Sequence, residues 1–242
     1  GSLRKVSRKF NRSIGTIHKY IPNHSLFKSQ NIIKRTYSDD ERLIGTYVGL
    51  WMGDGTQFYE NRYTIKICSN KNDKILNNFY QQILQRLFQK KTCLLEEKST
   101  NRAYVKFYSK FIFDFIYKYV KYENKKKTST VRLRKNIEEY NNDFLEGCLL
   151  GLALSDGFLK NRFKFNVISD KLSENMYNIL KRFKFNPSYY IHNRKNYGWE
   201  NLHMISLNVN ESKLLLRLLD KIIKKIGFNY SFKELKYGPA QI

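Results

Sequence analysis

The chain has 242 residues, with 45 Lys and Arg against 21 Asp and Glu, a formal net charge of +24. A hydrophobic fraction of 41% with 15% aromatics argues against a disordered chain despite that charge. The length suits one large domain or two small ones. A positive surplus of this size points to a polyanion, and most sharply to nucleic acid, where neutralised phosphates release their counterions. No apolar run approaches the roughly 18 residues of a membrane span. No signal-like stretch opens the chain, and Gly1-Ser2 read as an expression remnant. Cys68, Cys93 and Cys148 lack metal-type spacing and read as reduced thiols. His18, His24, His192 and His203 show no HxxxH or HNH-like cluster, which argues against zinc.

Residues 1–40 form a basic arm. Within it, residues 6–21 resemble a helix-turn-helix: a short helix reaches Phe10, Asn11 suits a left-handed turn position, and Ser13 caps the next helix. Ile14, Ile17 and Ile21 would be its buried side, leaving Arg12, Thr16, His18 and Lys19 to touch DNA. Arg12 stands where such motifs place an apolar residue. The other reading is a basic tail that orders on DNA.

Residues 41–120 read as a first half-domain. Its opening helix is followed by a strand in which Tyr63, Ile65 and Ile67 alternate with Arg62, Thr64 and Lys66. Ile75, Leu76, Phe79, Ile83, Leu84 and Leu87 then recur at helical spacing. Strands at 92–98 and 103–108 and a helix at 110–120 complete an α-β-β-α-β-β-α order. Residues 121–143 hold Lys125-Lys126-Lys127, Thr128-Ser129-Thr130, Arg132, Arg134 and Lys135, and read as a solvated basic linker. Residues 144–242 repeat the first half. Phe163, Phe165 and Val167 alternate with Arg162, Lys164 and Asn166, and Leu172, Met176, Ile179, Leu180 and Phe183 form a helical stripe. Strands at 188–194 and 202–209 and a helix at 211–226 follow. The fold class is α+β, built from two similar αββαββα half-domains.

The opening helices are the most informative feature. The first carries Gly45, Gly49 and Gly53 and ends in Asp54-Gly55; the second carries Gly147, Gly151 and Ser155 and ends in Asp156-Gly157. Glycine in a helix interior costs roughly 1 kcal/mol relative to Ala. Its recurrence at every fourth position makes a small-residue face through which two helix backbones approach closely. The terminal glycine is expected to take the left-handed conformation that stops a helix. An acid just before it opposes the helix dipole. Pairing the helices brings Asp54 and Asp156 together, and two carboxylates 4 Å apart repel by about 4 kcal/mol at an effective dielectric of 20. Divalent cations with hard oxygen ligands, Mg²⁺ above all, are the natural counterweight.

Tyr47-Val48-Gly49-Leu50-Trp51-Met52-Gly53-Asp54-Gly55 and Leu149-Leu150-Gly151-Leu152-Ala153-Leu154-Ser155-Asp156-Gly157 resemble the two motifs of a single-chain LAGLIDADG homing endonuclease. Trp51-Met52 and Ser155 depart from the consensus, but neither departure removes an acid. The resemblance covers residues 41–242. It implies pseudo-symmetric halves whose saddle-shaped antiparallel sheets lie in consecutive major grooves of a long double-stranded target, the chain acting as a monomer without a membrane. It implies Mg²⁺ or Mn²⁺, two or three ions at the helix interface, held by Asp54 and Asp156 with the carbonyls of Gly53 and Ser155. Both strands would be cut, leaving short 3′ overhangs. Lys66 and Asn166, 12 and 10 residues after their acids, match a water-positioning residue of the family. Lys110 and Lys213, 56 and 57 residues after the acids, match a basic residue that stabilises charge on phosphate.

Base readout is expected from the basic sheet faces: Arg62, Thr64, Lys66, Tyr104 and Lys106 in the first half, and Arg162, Lys164, Asn166, His192 and Arg194 in the second, with Arg12 and Lys19 from the arm. If these neutralise about 10 phosphates, log K falls against log salt with a slope near −9; a nearly flat salt titration would reject that placement. An intron RNA maturase and a DNA-binding protein that no longer cuts share this composition. Splicing insensitive to loss of both acids would mark the first, and a footprint without nicking the second.

Overall fold

Two long helices open the two halves, and each leads into a four-stranded antiparallel sheet. The computed structural model describes residues 37–90, 92–97, 99–123 and 126–238. The predicted helix-turn-helix, with Arg12 and Lys19, lies outside the described residues. Helix α1 (Glu41–Asp54) starts where the Asp40 carboxylate accepts the Arg42 and Leu43 N–H groups. Strands β1 (Gly55–Tyr59) and β2 (Tyr63–Asn70) form a hairpin. Helix α2 (Lys74–Phe88) precedes β3 (Cys93–Glu96) and β4 (Arg102–Tyr108), and Ser109 caps α3 (Lys110–Ile116). The sheet order is β1-β2-β4-β3.

Residues 117–141 differ from the expected solvated linker. They hold a two-stranded ribbon, β5 (Val120–Lys121) with β6 (Arg132–Leu133), a one-turn helix α4 (Lys127–Thr130) and a 3₁₀ turn over Ile137–Glu139. Val120, Val131, Leu133, Ile137 and Tyr140 enter the core. Val131 and Leu133 flank Arg132 at period two, a strand signal that the neighbouring charges obscured. The segment is pinned by Ser169 Oγ donating to the Val131 carbonyl (2.8 Å) and the Leu133 N–H donating to Asn175 Oδ1 (2.8 Å).

The second half repeats the first: α5 (Asn142–Ser155), capped by Asn141, then β7 (Gly157–Leu159), β8 (Phe163–Val167), α6 (Asp170–Arg182), β9 (Ser188–His192), β10 (Leu202–Ser206) and α7 (Val209–Lys225). The order β7-β8-β10-β9 mirrors the first sheet. A further helix, α8 (Phe232–Tyr237), was not expected; Ser231 and Glu234 form its capping box. Ile65, Ile67, Phe163 and Phe165 are fully buried, as the strand alternation requires. Among the described residues no helix is long and apolar enough to cross a membrane.

Helices α1 and α5 pack through their glycine faces. A Cβ on Gly49 would fall 2.5 Å from the Cys148 carbonyl oxygen, and one on Gly151 2.6 Å from the Leu50 nitrogen. Both contacts are backbone, so neither can yield without separating the helices. Gly151→Ala is expected to destabilise the fold by at least about 1–3 kcal/mol, the usual cost of overpacking a tight core. A lowered urea midpoint with an unchanged slope checks this. At the N-terminal ends, Arg42 pairs with Asp143 and with Glu146 (2.6 Å), and Lys225 holds Glu146 from α7 (2.9 Å), tying the halves together.

Candidate active site

The glycine packing sets the ends of α1 and α5 side by side and brings Asp54 and Asp156 together. A Cβ on Gly53 would sit 2.6 Å from Asp156 Oδ2. Neither terminal glycine adopts the expected left-handed conformation. Gly55 is extended, with φ −79° and ψ 149°, and Gly157 is absent from the positive-φ residues. Glycine is needed there for space: a Cβ would lie 2.5 Å from the Trp51 carbonyl oxygen at Gly55 and 2.5 Å from that of Ala153 at Gly157. Each sheet therefore starts directly against the last helical turn, holding the acid at the junction.

Burial pushes the Asp54 carboxyl up to about 7, with the negative charge of Asp156 adding to the shift. Burial raises Asp156 as well. Tyr80 donates to Asp54 Oδ2 (3.5 Å).

Two lysines outside the expected set neutralise the pair. Lys127, from α4, donates to the carbonyl oxygens of Gly53 (3.1 Å) and Gly55 (2.6 Å), with its ammonium 4.8 Å from the Trp51 ring centroid. Lys236, from α8, donates to the carbonyl oxygens of Leu154 and Ser155, the latter at 2.8 Å. Each helix end, where carbonyls lack partners, thus receives one ammonium. Burial lowers Lys127 to about 8 against the pull of Asp156 and Asp54, and lowers Lys236 in the same way. The counterweight expected from a cation alone is therefore supplied in part by the chain. Lys127 was hidden inside a run read as solvated charge. Lys236 could have been found from the Ser231-x-x-Glu234 box that announces its helix.

These shifts predict a pH dependence. Native Asp54 keeps its proton up to about 7, while the unfolded carboxyl, at 3.8, does not. Between those values the native state binds more protons, so this group lowers stability as pH rises. With chelator present, Asp54→Asn should gain in thermal midpoint on the wild type from pH 4 to 7; a constant difference would contradict the shift.

Lys110 and Lys213 are not brought to the acids. Lys110 lies over the Tyr63 ring (5.6 Å), and Tyr63 pairs with Tyr59 at the far end of the β1–β2 hairpin. Four strand residues separate Tyr59 from Gly55, about 13 Å. Lys213 lies with Leu159, Lys160 and Asn161 at the equivalent turn of the second half. Matched spacing reflected matched position, but at the wrong end of the hairpin.

The pairing of Lys66 with Asn166 also shifts. Gly55 faces Ile67, whereas Gly157 faces Phe165. The first hairpin pairs over five residue pairs and the second over three, so the register partner of Asn166 is Cys68, and that of Lys66 is Lys164. Burial raises the Cys68 thiol, and the charge of Asp54 raises it further. Asn166 and Arg194 line a cleft with Asp156, Gly53 and Lys127. Lys66 stands higher on its strand, between the rings of Phe58 and Tyr104 (5.1 Å to each).

Of the other predicted contacts, Lys106 lies over Tyr108 (5.0 Å), as does Arg62 (5.5 Å), and Tyr104 donates to Glu97 (2.7 Å). Arg162, Lys164, Asn166 and His192 are exposed, and Arg194 lies against Trp199 (5.5 Å). Thr64 is a correction: it is 4% exposed between its cross-strand neighbours Phe58 and Tyr108, whose larger side chains cover it. The first face is thus cations interleaved with rings.

No family model and no curated protein matches the sequence. Solved structures do match. A mesophilic variant of the homing endonuclease I-DmoI has a TM-score of 0.58 at 14% identity, covering 75% of this chain and 91% of that one. I-DmoI in complex with DNA and Ca gives 0.56 at 14% identity over 75% and 91%. The N-terminal LAGLIDADG domain of DUF199/WhiA gives 0.51 at 14% over 85% and 89%. The chain has the two-motif LAGLIDADG fold, one motif helix from each half.

Proposed function

We propose that the chain is a site-specific, metal-dependent double-strand DNA endonuclease that works as a monomer and leaves short 3′ overhangs. The observation that carries this reading is the pair of half-buried acids at the joined helix ends, flanked by two sheets in a chain of +24 charge. The likeness to I-DmoI, solved with DNA and Mn or Ca, supports it. The donor set fits Mg²⁺ or Mn²⁺: two carboxylates are hard oxygens, as are the carbonyls of Gly53 and Ser155 once the Lys127 and Lys236 ammonium groups that they now accept from move away, and Mg²⁺ takes one or two carboxylates alongside waters and phosphate oxygens. Such ions supply Lewis-acid stabilisation and an activated water.

The chain's own residues do the rest. Lys127 and Lys236 turn their ammonium groups from the helix carbonyls to the scissile phosphates, one for each strand, and stabilise the charge that develops there. Asn166 and Cys68 orient the attacking water beside Asp156 and Asp54. Lys66, Lys106, Arg62 and Tyr104 in one half, and Arg162, Lys164, His192 and Arg194 in the other, contact the duplex. Incubation with Mg²⁺ and a randomised duplex library, followed by sequencing of the ends, tests the proposal. Paired ends at one recurring sequence are expected. Protection of a sequence without cleavage would overturn the endonuclease reading in favour of binding alone.

A further inference from the structure

Lys127 and Lys236 occupy equivalent places, and the residues after them differ. Tyr237 follows Lys236, and its hydroxyl accepts the Leu159 N–H (2.6 Å) at the free edge of β7. Thr128 follows Lys127. By sheet register Leu159 corresponds to Gln57. The place that Tyr237 fills in the second half is, in the first, a cleft of about 940 Å³ along β1. That is within the range of ligand pockets, roughly 300–1,000 Å³.

Trp51, Phe113, Tyr117 and Tyr122 wall the cleft. Trp51 and Tyr122 lie 5.4 Å apart, and Tyr122 stacks on Tyr117 at 5.7 Å. Trp51 is fully buried and its indole N–H has no partner. The Gln57 amide nitrogen donates to the Phe113 carbonyl (3.3 Å), which leaves its Oε1 as a buried acceptor, also without a partner. Lys127 lines both this cleft and the one beside Asp156.

We propose that the cleft takes one unpaired nucleobase at the cutting site, stacked on the aromatic walls with its phosphate toward Lys127. The proposal rests on the nuclease reading above. The second half shows what such a space holds: a planar ring that presents a polar atom to the strand edge. The first half leaves both a donor and an acceptor unmatched, and a base edge carrying C=O beside N–H answers both. Lys127 and the chain's positive charge select a ring attached to phosphate. Stacking alone tolerates any base, because every base has a π-face, so the edge sets the choice: thymine, uracil and guanine carry C=O beside N–H and adenine does not.

Photocrosslinking with 5-iodouracil tests this. The probe is placed in a single-stranded 10-mer, in a duplex with the probe as a one-nucleotide bulge, and in a fully paired duplex. The expected adducts fall on Tyr117 and Tyr122. Thr128→Tyr, which puts the second half's ring into the cleft, is expected to lower their yield at least ten-fold, while adducts at two exposed rings of the second half outside the cleft, Tyr190 on β9 and Trp199, persist and report a folded, DNA-binding protein. Tyr122→Ala should weaken binding of the 10-mer about ten-fold relative to an abasic strand of equal length. Adducts from the paired duplex mean that the protein extrudes the base; adducts from the 10-mer and bulge alone mean that it takes a base already unpaired; both support the cleft. Adducts only outside it, or an unchanged yield in a folded Thr128→Tyr protein, overturn the proposal. Plasmid cleavage measured in parallel separates the two readings: cutting without cleft adducts removes this inference and leaves the nuclease.

Discussion

Asp54→Asn and Asp156→Asn are each expected to slow cleavage at least 10³-fold, about 4 kcal/mol of transition-state stabilisation. Asparagine keeps the size and hydrogen-bonding reach of the side chain and removes the charge. The halves share one helix pair, so a loss at either acid should impair both strands rather than leave a clean nick. The same substitutions should raise thermal stability in chelator at neutral pH. The native fold raises both carboxyls by burial, and Asp156 adds repulsion at Asp54. Removing one charge relieves that cost. Opposite signs for activity and stability are the signature of acids held for chemistry. Single-turnover cleavage and a melting curve on the same preparations read both, and activity within ten-fold of wild type would remove the acids from the mechanism.

Lys127→Met and Lys236→Met are expected to cost 10²–10³-fold in cleavage rate, about 3–4 kcal/mol, the scale for one preorganised group that stabilises developing charge. Each ammonium lowers the carboxyl pKa values of the pair, and each holds helix-end carbonyls. Methionine keeps much of the stem and leaves both carboxyls without that neutralising charge, so both should ionise at higher pH. The acidic limb of the pH–rate profile should also move to higher pH, because the acids ionise later when a positive neighbour is gone. A purely structural lysine would lower the rate without moving that limb.

The helix pair was legible because glycine at every fourth position is costly and therefore informative, and because it occurred twice. The sheets followed from period-two alternation in 63–67 and 163–167. The acids followed from both. The lysines did not, because a buried cation looks the same in sequence as a solvated one. Lys127 sits in a triple-lysine run, and only the fold of 117–141 turns its stem inward. Hairpin length was equally hidden. Four residues more in the first hairpin moved the partner of Asn166 from Lys66 to Cys68, a shift that letter-by-letter repeat matching absorbs without a trace. Lys110 and Lys213 show the same limit: conserved spacing between halves reports symmetry, not proximity to the acids. The chain's aromatic content was visible in composition, but the stacking of Lys66, Lys106 and Arg62 on rings required strand register.

On the proposed function, Asp54 and Asp156 form one divalent-cation site at the junction of the halves. Titration of the metal-free protein with Mn²⁺, followed by the loss of its free-ion electron paramagnetic resonance signal, tests it without knowledge of the target. Saturable binding is expected in the wild type, and it should disappear in the Asp54→Asn, Asp156→Asn double variant while far-ultraviolet circular dichroism stays unchanged. Mn²⁺ binding of equal strength in the folded double variant would contradict it.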